Sequence, residues 1–95
     1  MPKKVDANHP AIVAALRQAG ASVQSLAALG KGCPDVLVAY RGQWFVAEIK
    51  DGSKAPSRRV LTDAEQDWHA TFGHKAPVHI WESIDDALQA IGAVH

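Results

Sequence analysis

The stretch that decides the fold is residues 35–50, DVLVAYRGQWFVAEIK. Its two apolar runs, 35–40 and 43–50, flank the pair Arg41-Gly42 and are rich in the residue types that favour β-strands. A two-residue connection in which glycine supplies a positive φ predicts a tight β-hairpin. Because both runs are apolar at consecutive positions, we expect a central sheet that is covered on two sides.

Helices and further strands are predicted on either side of this hairpin. Helix caps, turn residues and the spacing of apolar residues set their boundaries. The predicted elements are a helix at 9–19 capped by Asn8, a strand at 22–27, loops at 30–34 and 51–61, a helix at 63–72 opened by a Thr62–Glu65 capping box, a strand at 77–81, and a last helix capped by Ser83. This order, α-β-β-β-α-β-α, predicts an α/β domain with a single mixed sheet flanked by helices.

Length and composition indicate one small globular domain over residues 1–95. Ten basic and ten acidic residues cancel, so a polyanion would have to be bound by local positive charge. The single cysteine, Cys33, excludes an internal disulfide and fits a reducing, cytoplasmic setting. No signal peptide and no apolar stretch of membrane-spanning length is found, so no membrane association is expected.

Three charged residues are predicted to meet at one end of the hairpin. With Arg41 and Gly42 in the turn, Asp35 lies opposite Glu48, and Lys50 shares the face of Glu48. Adjacent carboxylates repel unless a cation lies between them, and Mg²⁺ prefers oxygen ligands. Such an ion activates water and phosphate, and an ammonium stabilises the developing charge, which together describe phosphodiester hydrolysis. The alternative is a structural ion-pair cluster at a solvated strand end.

The same residues form a short motif. GCPD at 32–35, followed by EIK at 48–50, resembles the Pro-Asp…Glu-x-Lys signature of the PD-(D/E)XK nuclease superfamily. The apolar VLV run after the aspartate and the KDG exit most resemble its VRR-NUC branch. The resemblance implies the restriction-endonuclease-like α-β-β-β-α-β core over nearly the whole chain, as a single VRR-NUC-like domain.

The resemblance also implies roles for the motif residues. Asp35 and Glu48 would bind Mg²⁺ or Mn²⁺, and the backbone carbonyl of Ile49 would add a ligand. Lys50 would act on the attacking water. The cofactor that this implies is Mg²⁺, or Mn²⁺ in its place.

Two positions on helices are less closely matched. The family often places a glutamate on the first helix, where this chain has no acid, and Asn8 or the preceding Asp6 is the nearest substitute. Related members often carry a glutamine on the helix after the motif, and Gln66 matches that place. The alternative for Gln66 is an exposed helix residue without a role at the site.

Basic residues near the motif suit contacts with a nucleic-acid backbone. Lys54, Arg58 and Arg59 lie in the polar loop after Lys50, and Lys31 lies between two glycines. The alternative is a solvated loop. Among other residue types, the histidine spacing fits no zinc motif, Cys33 is expected to be a small buried thiol, and the tryptophans are expected in the core or in an interface.

These observations lead to a Mg²⁺- or Mn²⁺-dependent endonuclease acting on DNA. Stand-alone VRR-NUC domains resemble structure-selective enzymes, including Holliday-junction resolvases, so branched DNA and a homodimer are expected. A nicking or flap-type nuclease within a larger complex is an alternative of the same class. A DNA-binding or assembly module that has kept the fold and lost turnover is the alternative of another class, and the missing helix acid favours it.

Overall fold

The computed structural model describes residues 6–93, which contain three α-helices, four strands and two short 3₁₀ turns. The helices are α1 (His9–Gln18), α2 (Asp63–Phe72) and α3 (Ile84–Ile91). The strands are β1 (Ser22–Ser25), β2 (Val36–Tyr40), β3 (Gln43–Ile49) and β4 (His79–Trp81), and the 3₁₀ turns are Ala27–Leu29 and Pro56–Arg58. None of the helices within the described range has the length and apolar character needed to cross a bilayer.

The four strands form one sheet in the order β1-β2-β3-β4. The first three strands are antiparallel neighbours, whereas β4 runs parallel to β3. A parallel pair needs a crossover connection, and α2 lies in it. The predicted α/β class, with a single mixed sheet and the order α-β-β-β-α-β-α, is confirmed.

The β2–β3 hairpin has the predicted register. Tyr40 pairs with Gln43 directly beside the turn, and the same register continues to the pair Val36 and Ala47. The turn residues Arg41 and Gly42 have φ values of 48° and 80°. Two positive φ values give a turn whose twist matches that of the flanking strands, so the turn fixes which residues face each other.

Strand boundaries are shorter than predicted by one or two residues. β1 ends at Ser25 because the chain then enters a 3₁₀ turn, and the N–H of Leu26 donates to the carbonyl of Asp35 at 2.8 Å. β4 begins at His79 rather than at Pro77, which has no N–H for a strand ladder.

The hydrophobic core lies on one face of the sheet. α1 and α3 pack against each other and cover this face. The largest core side chains, all at most 2% exposed, are Ile12, Leu16, Val36, Val38, Ile49 and Trp81. Side chains alternate between the two faces along a strand. The odd-numbered residues of β2 and the even-numbered residues of β3 therefore point to the opposite face.

The opposite face is only partly covered, which corrects the prediction of a sheet covered on two sides. Trp44 is 72% exposed and Ile80 is 46% exposed, whereas Leu37 and Val46 on the same face are half-buried. The reason is that α1 and α3 lie together over the core face. Glu48 belongs to this second face because it is two residues beyond Val46.

The tryptophans also differ from one another. Trp81 lies in the core, as predicted, and Trp68 stacks on Phe72 of the same helix with ring centroids 4.1 Å apart. Trp44 is 72% exposed, so of the two predicted positions, core or interface, it does not occupy the core.

Candidate active site

Asp35 lies immediately before β2 and is held by the backbone of β3. Its N–H donates to the carbonyl of Ala47 at 3.0 Å, and its Oδ2 accepts the N–H of Ile49 at 2.7 Å. Asp35 is 1% exposed. The ladder thus ends one pair before the predicted Asp35–Glu48 pair, because the carboxylate of Asp35 occupies the N–H of Ile49.

Glu48 and Lys50 face the same cleft as Asp35. Glu48 is fully buried, and the Nζ of Lys50 lies 4.0 Å from its Oε2. The cleft has a volume of about 360 Å³ and is open to solvent. Its charged lining residues are Asp6, Lys31, Asp35, Glu48, Lys50 and Glu65. The structure therefore brings together Asp35, Glu48 and Lys50, the three residues that the predicted hairpin places on one face.

Glu65, on the first turn of α2, is the site residue that the sequence interpretation missed. Its Oε1 accepts hydrogen bonds from the Nζ of Lys50 and from the N–H of Thr62, both at 2.8 Å. The side chain of Glu65 is 3% exposed. The available signal was the Thr62–Glu65 capping box, which predicts a helix start but does not indicate that the same carboxylate reaches a strand residue.

Gln66 does not take the place that the resemblance assigns to it. Its Nε2 donates to the carbonyl of Leu61 at 3.2 Å, and its side chain is exposed outside the cleft lining. Successive helix residues point about 100° apart, so only one of the neighbours Glu65 and Gln66 can face the cleft. The helix residue that contacts Lys50 is Glu65.

Asn8 does not line the cleft but hydrogen-bonds to the backbone of the cleft residue Lys50. It precedes α1 without a capping hydrogen bond from its side chain, and its Nδ2 instead donates to the carbonyls of Lys50 at 3.0 Å and Glu82 at 3.3 Å. Asp6 lines the cleft and lies 3.8 Å from the Nζ of Lys54. Of the two predicted substitutes for the helix acid, the structure therefore places Asp6 in the cleft.

The four predicted nucleic-acid contacts are not equivalent. Lys31 lines the cleft and is exposed. Lys54 lies beside the cleft, because its Nζ contacts the lining residue Asp6. Arg58 is exposed in the 3₁₀ turn. Arg59 instead braces the loop, because it donates to the carbonyl of Lys54 at 2.8 Å and to Glu82 at 3.1 Å.

The cleft buries more negative than positive charge. Asp35, Glu48 and Glu65 are each at most 2% exposed, and Lys50 is the buried ammonium beside them. Burying like charges together is unfavourable unless a cation compensates them. The arrangement therefore favours the binding of a cation.

The cleft offers carboxylate oxygens, the type of ligand that hard divalent ions such as Mg²⁺ or Mn²⁺ prefer. The donors are the carboxylates of Asp35 and Glu48, and Ile49 also lines the cleft. No group of three or more His, Cys, Asp or Glu side chains suited to a metal is present among residues 6–93. The protein thus supplies an incomplete oxygen set, which water and phosphate oxygens would have to complete.

Asn8 lines a second cleft, of about 600 Å³. Its charged lining residues are Asp51, Arg59, Glu82, Asp85 and Asp86. The hydroxyl and the N–H of Ser53 donate to Asp51 at 2.7 and 3.0 Å, and these bonds lower the pKa of the Asp51 carboxyl. The second cleft is therefore acidic as well, and it is the alternative place where a cation could bind.

Gly32 sets the close approach between the 30–32 loop and α2. Its φ is 79°, and a Cβ there would collide with the carbonyl oxygen of Ala64. Gly42 has nearly the same φ, 80°, but nothing lies within 4 Å of its Cβ position. The two glycines therefore share the backbone requirement but differ in the space around them.

We expect Gly32→Ala to destabilise the protein more than Gly42→Ala. The positive φ alone costs about 1–2 kcal/mol in either variant. Overpacking against the fixed backbone of α2 adds about 1–3 kcal/mol for Gly32→Ala only. Denaturant unfolding of both variants tests this, and equal losses of unfolding free energy would show that the loop does not abut α2.

Comparisons of this chain with known protein families, with curated proteins and with solved structures each found no match.

Proposed function

We propose that this protein is a divalent-metal-dependent endonuclease that hydrolyses phosphodiester bonds in DNA. The observation that carries the proposal is the open cleft in which Asp35 and Glu48 are buried beside the ammonium of Lys50. A protein that only binds a polyanion has no use for paired carboxylates facing it. Since one fold can serve many functions, the proposal rests on the site and not on the fold.

Each residue of the cleft has a part in the proposed reaction. Asp35, Glu48 and the carbonyl of Ile49 would hold Mg²⁺ or Mn²⁺. When bound, such an ion polarises phosphate oxygens and makes water more acidic. Lys50 donates hydrogen bonds towards the scissile phosphate or the attacking water and offsets the negative charge that develops as the P–O bond breaks.

Basic residues at the rim would hold the DNA backbone. Lys31 lines the cleft, and Lys54 and Arg58 lie in the loop that follows Lys50. Phosphate contacts of this kind are independent of sequence and weaken with added salt. The neutral overall charge limits binding to this local patch.

The resemblance to the VRR-NUC branch refines the proposal. It implies branched DNA, such as Holliday junctions, as the preferred substrate, and a homodimer that supplies two active sites. A reducing, cytoplasmic setting fits the single cysteine.

A DNA-binding or assembly module without turnover is the second candidate. The ion pair that holds Lys50 on Glu65, and the lack of a third metal-ligating side chain among residues 6–93, favour it. In that case Lys50 is only a counter-ion, and the DNA is bound without being cut.

The experiment that separates the two candidates is a cleavage assay on linear, flap and four-way-junction DNA with a fluorescent label. The proposal predicts products with Mg²⁺ or Mn²⁺, none with EDTA, and none with the Asp35→Asn variant. Binding of all three substrates without any product in either metal would contradict the proposed nuclease and support the binding module.

A further prediction concerns Lys31, whose φ of 55° is unusual for a residue with a side chain. Lys31→Gly removes the cost of that conformation and should raise the unfolding free energy by up to about 1 kcal/mol. It should also weaken DNA binding and reduce the salt slope by about one, because one phosphate contact is lost.

Arg41→Gly is the matched control, since Arg41 has a φ of 48° in the hairpin turn, away from the cleft lining. It should also relieve backbone strain but leave the salt slope unchanged. Salt-dependent binding of both variants to one duplex tests the difference. The same salt slope in wild type and Lys31→Gly would remove Lys31 from the DNA contacts.

A further inference from the structure

We infer that Glu65 is a positioning residue that holds Lys50 in place, an inference that rests on the proposed function. The Oε1 of Glu65 lies 2.8 Å from the Nζ of Lys50, whereas the Oε2 of Glu48 lies 4.0 Å from it. The closer of these two ion pairs is therefore made with a residue outside the proposed metal ligands. Lys50 is thus held mainly by Glu65, and its contact with the proposed metal ligand Glu48 is the longer of the two.

The same oxygen of Glu65 also belongs to the start of α2. It accepts the N–H of Thr62 at 2.8 Å, and the Oγ1 of Thr62 accepts the N–H of Glu65 at 3.2 Å. The capping box thus holds the carboxylate of Glu65 in place independently of its contact with Lys50. A lysine side chain loses considerable rotamer freedom when it is fixed, and fixing it in advance lowers the entropy that the reaction must lose.

Three variants separate positioning from helix capping. Glu65→Ala removes the contact with Lys50 together with one half of the capping box. Glu65→Gln keeps an oxygen that can accept both hydrogen bonds. Thr62→Ala removes the other half of the capping box and leaves the carboxylate of Glu65 beside Lys50. The variants are compared by cleavage rate at saturating protein, by DNA affinity and by melting temperature.

We expect Glu65→Ala to lower the cleavage rate by about 10- to 100-fold, the range for a catalytic group that is no longer held in place, with DNA affinity within about twofold of wild type. Glu65→Gln should recover most of that rate. Thr62→Ala should lower the melting temperature by about 4–8 °C and keep nearly the full rate. A rate as low in Glu65→Gln as in Glu65→Ala, or equally low in Thr62→Ala, would overturn the inference.

Chemical labelling of lysines tests the placement of Lys50 without any cleavage. An amine-reactive ester followed by mass spectrometry compares Lys50 with the exposed Lys75 of the same molecule. Lys50 should be labelled slowly in wild type and Thr62→Ala, and at least about tenfold faster in Glu65→Ala because burial and the ion pair are both weakened. Unchanged labelling in Glu65→Ala overturns the inference. If Lys50 is labelled faster in Glu65→Ala but the wild-type protein cuts no DNA, the positioning of Lys50 by Glu65 stands and the proposed nuclease activity is rejected.

Discussion

Replacing Lys50 by methionine is expected to lower the rate of DNA cleavage by about 100-fold or more, the scale for losing one electrostatic stabiliser of a transition state. Methionine keeps most of the apolar stem that packs in the cleft but removes the ammonium. DNA affinity should change much less, because one charge among several contributes only part of the binding. Cleavage under saturating protein and binding by fluorescence anisotropy measure the two effects separately.

The same substitution separates the catalytic role from a purely structural one. Breaking a buried ion pair costs about 3–5 kcal/mol when the remaining charge stays uncompensated, so Lys50→Met should also lower the melting temperature. Added Mg²⁺ should recover part of the stability but not the cleavage. The exposed Lys75→Met variant is the control and should behave as wild type. Full cleavage by Lys50→Met would reduce Lys50 to a counter-ion.

Replacing Glu48 by glutamine is expected to abolish cleavage while making the metal-free protein more stable. Glutamine keeps the shape of the side chain and removes one of three buried carboxylates, so the repulsion within the cleft falls. The variant should also lose stabilisation by metal, which in wild type amounts to about 1.4 kcal/mol at a Mn²⁺ concentration ten times Kd. Thermal unfolding with and without Mn²⁺ measures both effects.

Glu82→Gln is the matched control for this change. Glu82 lies outside the cleft of Asp35 and Glu48 and contacts Arg59 at 3.1 Å. Its variant should cleave DNA as wild type does and keep the stabilisation by Mn²⁺. If Glu48→Gln instead destabilised the metal-free protein and kept its response to Mn²⁺, the carboxylate of Glu48 would be a structural partner of Lys50.

The sequence was sufficient for the hairpin and for the three residues at its end. A two-residue turn at Arg41-Gly42 leaves one register, and the register decides which side chains share a face. The shared face of Asp35, Glu48 and Lys50 could be predicted from this register because it depends only on local geometry. The order of the remaining elements followed from caps and apolar spacing, which are local signals as well.

The contacts that complete the site depend on long-range packing and could not be predicted in this way. Glu65 reaches Lys50 only because α2 begins beside the end of β3, and a capping pattern carries no information on what else its carboxylate contacts. Asn8 likewise turns from the expected helix cap to the carbonyls of Lys50 and Glu82. The resemblance pointed to Gln66, whereas Glu65 faces the cleft, because the sequence does not determine the angular position of α2 about its own axis.

The partly covered face of the sheet shows a limit of apolar patterning. Val46 and Trp44 continue the apolar run of β3, yet one is half-buried and the other is 72% exposed. An apolar run indicates that a strand suits burial, but it does not specify which helices cover each face. Here α1 and α3 pack over the same face, and the apolar residues of the other face stay near the surface.

The central claim is that the cleft of Asp35 and Glu48 holds a divalent cation, and Mn²⁺ titration of the ¹⁵N-labelled protein followed by NMR tests it most directly. Mn²⁺ broadens the amide signals nearest to it, so the bound ion reports its own position whether or not DNA is cut. Broadening should begin at Asp35, Glu48 and Ile49 and should be lost in Glu48→Gln. Broadening that begins in the second cleft, at Asp51 and Asp85, would place the cation elsewhere and contradict the account.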